Sequence, residues 1–187
     1  MVRFVLNDKE LEVEEGTSIL DAALDANIEI PRLCYHEELS PYGACRLCLV
    51  EIQENGKSSL ETSCQTKVSE GMEVKTHSER VEERRRVILE LLLAEAPESE
   101  KLKKLAEEHG LTETRFELNG QGKCMLCGLC VRVCDEVVGM KAITFSDRGV
   151  ARSVKTPFGK ISESCIGCGA CAYICPTDAI EVEEASK

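Results

Sequence analysis

Twelve cysteines in 187 residues fall into three groups of four, with none left over. Cys124, Cys127, Cys130 and Cys134 run C-x2-C-x2-C-x3-C; Cys165, Cys168, Cys171 and Cys175 repeat the run, and Pro176 follows. Three thiols at this spacing wrap one cubane, and the fourth reaches a neighbouring one, which is the pattern of paired [4Fe–4S] sites. Gly128, Gly167 and Gly169 let the backbone turn tightly and bring N–H groups toward sulfur. This rule of reach gives Cys124, Cys127, Cys130 and Cys175 to one [4Fe–4S] cluster. It gives Cys134, Cys165, Cys168 and Cys171 to the other. The remaining Cys34, Cys45, Cys48 and Cys64 run C-x10-C-x2-C-x15-C, a looser pattern that suits a [2Fe–2S] site. Zinc is the rival, since C-x2-C pairs bind it too. Two structural zincs would leave the third cysteine at x2 spacing, and Pro176, unexplained. The expectation is one [2Fe–2S] and two [4Fe–4S] clusters, no catalytic residue, and electron transfer as the function. In the first run Asp135 stands where proline often follows the last cysteine, and its charge is expected to lower that cluster's potential.

Aromatic residues make up only 4% of the chain and tryptophan is absent, so small modules held partly by their inorganic centres are expected. The net charge of −11 argues against nucleic acid, which needs a basic face. It suits docking to basic patches on redox partners, and equally simple solubility. The first ten residues include Arg3, Asp8 and Lys9 and lack the apolar run of a secretory signal. The longest apolar stretch, residues 87–96, is cut by Glu90 and Glu95 and is too short to span a bilayer. The reading is a cytoplasmic protein without a membrane span, in a reducing compartment that keeps thiolates free as ligands. His36, His77 and His109 are unclustered and read as surface or loop residues. No dinucleotide fingerprint, P-loop or nucleophile elbow is present, so neither NAD nor flavin should bind here.

The first 77 residues read as an α+β module. Val2–Leu6 and Leu11–Glu14 form a hairpin about Asn7-Asp8. Ser18 and Asp21 cap a helix whose face is Ile19, Leu20, Ala23 and Leu24, with Asn27 as its stop. A loop from Cys34 to Cys48 precedes strands at 47–52, 59–63 and 72–76, the first two joined by Asn55-Gly56. This order supports a β-grasp [2Fe–2S] ferredoxin module. Residues 78–118 read as a helical linker. Its first helix has Val81, Ile88, Leu91 and Leu92 on one face and Arg84, Arg85 and Arg86 among its solvated positions. Pro97 ends it, and a second helix opens at Ser99, shows Leu102, Leu105 and Ala106, and closes at Gly110. Residues 119–187 read as a ferredoxin-like two-[4Fe–4S] module, with strand candidates at 142–145 and 150–154 inserted between the repeats.

Four stretches carry a family resemblance: Ile30–Cys34, Gly43–Cys48, Cys124–Glu136 and Cys165–Cys171. They resemble the N-terminal iron–sulfur part of the complex I 75-kDa subunit family. That family includes diaphorase subunits of soluble NAD-reducing hydrogenases and the N-terminal region of [FeFe] hydrogenases. The resemblance implies an electron-transfer subunit of a cytoplasmic, anaerobic, NAD(P)-linked oxidoreductase. It implies as partners a flavoprotein NAD(P)-binding subunit, a thioredoxin-like [2Fe–2S] subunit, and a catalytic subunit of [NiFe] hydrogenase type. Ferredoxin is a further partner if the complex bifurcates electrons. Formate dehydrogenase, transhydrogenase and a free-standing polyferredoxin are the alternatives. Relatives of this kind usually hold another [4Fe–4S] site on one histidine and three cysteines. Residues 91–118 contain no cysteine, so this histidine-ligated cluster is expected to be missing. The sequence ending at Lys187 also leads us to expect neither an H-cluster domain nor a molybdopterin domain.

Overall fold

The computed structural model describes residues 1–54, 56–118 and 122–182. They cluster into two compact units: Met1–Leu33 with Pro41–Leu89, and Cys34–Ser40 with Glu90–Lys187.

The first unit is built on local signals that agree with one another. β1 (Val2–Leu6) and β2 (Lys9–Val13) pair antiparallel, with Leu6 opposite Lys9. Asn7 and Asp8 both take positive φ, 48° and 67°, the geometry of the tight turn that matches strand twist. Phe4 and Leu6 are buried while Arg3 is exposed, the period of two that a half-buried strand requires. In α1 (Ile19–Asp25) the Ser18 hydroxyl accepts the Asp21 N–H at 3.1 Å and donates to the Asp21 carboxylate at 2.6 Å. Ile19, Leu20, Ala22 and Ala23 are buried, whereas Leu24 is only half-buried. Asn27, at φ 56°, ends the helix, and the Ile28 N–H returns to Ala23 O.

β3 (Leu49–Glu54), β4 (Lys57–Thr62) and β5 (Glu73–Lys75) complete a mixed sheet in the order β2-β1-β5-β3-β4. β5 lies parallel to β1 and antiparallel to β3, so the last strand is inserted at the centre. With α1 following the first hairpin, this is a β-grasp arrangement. The β3–β4 turn is short, with Glu54 opposite Lys57; Gly56 has φ 73°, and Asn55 lies outside the described residues.

α2 (Glu79–Glu95) differs from the face expected from its leucines. Val81, Arg85, Leu89 and Leu93, spaced by four, are buried; Ile88 and Leu92 are half-buried and Leu91 is exposed. Arg84 and Arg86 are exposed as expected, but Arg85 is completely buried. α3 (Glu100–Glu108) starts at Ser99, whose hydroxyl accepts the Leu102 N–H, and buries Leu102 and Ala106.

In the second unit β6 (Thr144–Ser146) and β7 (Ser153–Lys155) pair antiparallel. They are shorter than the sequence pattern suggested, because Gly149–Ala151 closes a 3-10 turn. Arg152 lies over the Phe145 ring at 3.9 Å. Among the described residues no helix is long and apolar enough to cross a membrane. The edges of the expected third module, residues 119 and 183–187, lie outside them.

Candidate iron–sulfur sites

Each C-terminal cysteine run turns into a very short helix behind a left-handed glycine. Gly128 (φ 76°) precedes α4 (Leu129–Arg132), and Gly169 (φ 71°) precedes α5 (Ala170–Tyr173). The positive φ is what only glycine adopts without strain. The last cysteine of each run accepts a backbone N–H on sulfur: Ala142 N to Cys134 Sγ and Ala179 N to Cys175 Sγ, both at 3.2 Å. The Thr177 hydroxyl lies 3.7 Å from Cys175 Sγ. Such bonds stabilise charge on a thiolate and tune the metal it holds.

Two cavities gather the eight sulfurs in a crossed manner. One, of about 450 Å³, is lined by Cys124, Cys127, Cys130 and Cys175. The other, of about 340 Å³, is lined by Cys134, Cys165, Cys168 and Cys171. In the first, burial pushes the Cys127 thiol up to about 11 and Cys130 up to about 12, with neighbouring thiols, including Cys175, acting in the same direction. Cys124 is raised by burial as well. Backbone N–H groups of Leu126, Leu129 and Val131 oppose the rise at Cys124, Cys127 and Cys130 in turn. Burial also raises Cys171, with Cys168 and Cys134 adding to it. Four thiols so placed cannot all ionise alone. A cationic iron core that takes four thiolates removes the conflict, so the donor set fits a cluster.

Cys34, Cys45, Cys48 and Cys64 are each buried. Cys48 immediately precedes β3 and Cys64 follows β4, whose ladder pairs Leu49 with Thr62, so the two flank one end of that ladder. The Ser63 N–H donates to Cys48 O at 2.9 Å. Gly43, in the loop before Cys45, has φ 70°, so the backbone favours glycine there; a Cβ would meet only the exposed end of the Gln65 side chain, which can move aside. Cys34 rides on the segment Cys34–Ser40 of the second unit. There Arg132 donates to Cys34 O at 2.7 Å and to Ser40 O at 2.5 Å, and Glu136 accepts the Ser40 N–H at 2.7 Å. This places the Cys34 segment against the helical second half of the first cysteine run, which contains Cys130 and Cys134.

Sequence reasoning missed Arg85. Its guanidinium donates to Leu47 O (3.3 Å), Leu49 O (3.0 Å), Thr76 O (3.2 Å) and Glu82 Oε1 (2.5 Å). The one signal was its position, four residues from both Val81 and Leu89. The histidines have ordinary partners or places: His36 Nδ1 accepts the Glu38 N–H, His77 meets the Thr76 hydroxyl, and His109 ends α3.

Comparison with known proteins agrees with this two-part layout. Residues 1–79 match the family described as a 2Fe-2S iron-sulfur cluster binding domain, and residues 123–185 match the 4Fe-4S dicluster domain. A chain in the crystal structure of NAD+-reducing [NiFe]-hydrogenase in the H2-reduced state superposes with a TM-score of 0.84. It is 31% identical, and the match covers 98% of this chain and 88% of that one. The chain belongs to that iron–sulfur subunit family. Two curated relatives extend the likeness to other complexes. NADP-reducing hydrogenase subunit HndD of Solidesulfovibrio fructosivorans is 33% identical over 98% of this chain and 36% of its own length. The 75 kDa subunit of NADH-ubiquinone oxidoreductase of Reclinomonas americana is 31% identical over 96% of this chain and 29% of its own length. The chain thus spans about a quarter to a third of the length of the curated relatives it matches. As a member of this family it is an electron-transfer protein with one [2Fe–2S] domain and one domain for two [4Fe–4S] clusters.

Proposed function

We propose that this chain relays electrons inside a cytoplasmic, NAD(P)-linked [NiFe] hydrogenase. Its neighbours are a flavoprotein NAD(P)-binding subunit, a thioredoxin-like [2Fe–2S] subunit and the catalytic subunits, with ferredoxin as a further partner if electrons are bifurcated. Residues 1–77 carry the [2Fe–2S] cluster on Cys34, Cys45, Cys48 and Cys64. Residues 78–118 are the helical linker. Residues 119–187 carry one [4Fe–4S] cluster on Cys124, Cys127, Cys130 and Cys175 and another on Cys134, Cys165, Cys168 and Cys171. The clusters supply one-electron chemistry when bound. The chain's residues ligate them, donate N–H groups to sulfur and exclude water.

The observation that carries the choice of complex is the likeness, over 98% of this chain, to a chain of the NAD+-reducing [NiFe]-hydrogenase. The crossed lining of the two cavities supports the relay, since shared motifs hold two clusters close together. Around the second run Phe158, Ile161, Ile166 and Tyr173 are exposed, an apolar rim suited to a partner subunit.

The test is anaerobic purification from the protein's own cells, with native mass and H2-dependent NAD(P) reduction measured on the same sample. A complex containing flavin and nickel that reduces NAD(P) with H2 supports the reading. A monomer would instead make the chain a free polyferredoxin, and a complex containing molybdenum would make it a formate dehydrogenase subunit. The isolated chain should hold about 10 Fe with matching sulfide, two plus four plus four. Zinc with little sulfide would overturn cluster binding altogether.

A further inference from the structure

Among the described residues Arg85 is the largest fully buried side chain, and electron transfer as described above gives it no task. A buried guanidinium is costly unless its donors are satisfied and its charge is answered. Here three donors go to main-chain carbonyls, and the charged partner, Glu82, is partly exposed, with a side chain 32% accessible. Two of the carbonyls belong to Leu47 and Leu49, the residues on either side of Cys48. The third, Thr76 O, follows β5 immediately. All of these residues lie in the first unit. The fork therefore straddles one cysteine and fixes the peptide on both sides of it, with a positive charge held out of water and near enough to act electrostatically on the Cys48 thiol.

We propose that Arg85 is a positioning residue for the N-terminal [2Fe–2S] site: it fixes the backbone around Cys48 and raises the cluster's reduction potential. A [2Fe–2S] cluster held there would gain one unit of negative charge when a chemical reductant gives it one electron. A fixed cation in a low-dielectric surrounding favours the more negative state. Glu82 opposes this with its own charge, so the two residues move the potential in opposite directions. A lysine at 85 would keep the charge but cannot bond both flanking carbonyls in one planar fork. The inference rests on Cys48 being a ligand, as proposed above.

The experiment is an EPR-monitored redox titration of the anaerobically prepared holoprotein and its variants, with iron and sulfide measured alongside. In Arg85→Gln the [2Fe–2S] signal should become about tenfold harder to reduce at a given potential, a downward shift of about 59 mV for a one-electron couple. Arg85→Lys should retain most of the wild-type potential. Glu82→Gln should shift it upward. The [4Fe–4S] signals should not move in any of the three. An unmoved [2Fe–2S] potential in both Arg85→Gln and Glu82→Gln overturns the proposal. Should Arg85→Gln fail to fold, an unmoved potential in Glu82→Gln alone overturns it. Cys48→Ser tests the underlying assignment separately: an unaltered [2Fe–2S] spectrum in that variant removes Cys48 as a ligand, whatever Arg85 does.

Discussion

The two C-terminal cysteine runs share a spacing and a left-handed glycine, yet they sit in the second unit in opposite ways. Cys127 and Cys130 of the first run are buried; Cys165 and Cys168 of the second are exposed. The residue two past the third cysteine is Arg132 in α4 and Tyr173 in α5. Arg132 grips two carbonyls of the Cys34 segment, whereas Tyr173 is 92% exposed. Directly after the fourth cysteine stand Asp135 and Pro176. Pro176 lacks an N–H and disfavours helix in the residue before it, and α5 stops at Tyr173. Asp135 imposes no such stop, and α4 runs on into a π-helical turn, Val133–Val137, closed by Val138 N to Val133 O at 3.0 Å. That extra turn brings Glu136 to Ser40. One cysteine pattern thus yields a largely buried run and a largely exposed one, and the residues between and after the cysteines make the difference.

Loss of a cluster is the largest expected effect, and it tests the crossing. Cys175→Ser, although in the second run, should abolish the same EPR signal as Cys124→Ser, and each should lower iron from about 10 to about 6 per chain. Cys134→Ser should instead match Cys165→Ser. If Cys175→Ser removes the signal that Cys165→Ser removes, each run serves its own cluster and the crossed assignment is wrong.

The metal-free protein should separate the two runs by pH. A thiol whose folded value lies above its unfolded value of about 8.5 keeps its proton longer in the folded chain. Its contribution is fully present below that unfolded value and is lost as pH rises through the folded one. With Cys127 at about 11 and Cys130 at about 12, urea stability of the reduced apoprotein should fall from about pH 8.5 upward. Cys127→Ala and Cys130→Ala should each flatten the fall. Cys165→Ala, which removes an exposed thiol, should leave it unchanged.

A smaller effect probes the grip itself. Arg132→Ala removes two bonds from a cation to carbonyls and should cost about 2 kcal/mol in chemical denaturation. Tyr173→Ala, at the matching position, should stay within about 0.5 kcal/mol of wild type. Equal costs would mean that the Cys34 segment is held by something other than Arg132 and that the comparison misplaces its origin.

What the sequence made legible follows the range of the forces involved. The Asn7-Asp8 turn, the Ser18 cap and the Ser99 cap are local, and each lies where its residues require. The grouping of sulfurs into clusters is proposed from a rule of reach that needs only spacing, and the cysteine variants above decide it. The central place of β5 rests on pairing across some 70 residues, and no local pattern encodes it. The face of α2 was misread because hydropathy counts arginine as solvent-seeking. Arg85 is instead answered by three carbonyls brought in from Leu47, Leu49 and Thr76, distant in sequence. The Cys34 segment escaped for the same reason: it is held by Arg132 and Glu136, about a hundred residues away.

Asp135 gives the smallest and sharpest test. Its charge was expected to lower a cluster's potential, and it adjoins Cys134, which the crossed assignment gives to the cluster of the second run. The carboxylate is half-exposed and pairs with Lys141 at 3.2 Å, so solvent and the ammonium blunt its field. Asp135→Asn should therefore raise that potential only slightly, and less at high salt. Asp135→Pro should act by a different route: a proline there disfavours helical backbone at Cys134, shortens the π-helical turn and releases Ser40 from Glu136. It should lower stability, as Arg132→Ala does, whereas Asp135→Asn should not. If both variants shift the potential equally and leave stability alone, Asp135 acts by charge only, and the contrast with Pro176 does not account for the longer helix of the first run.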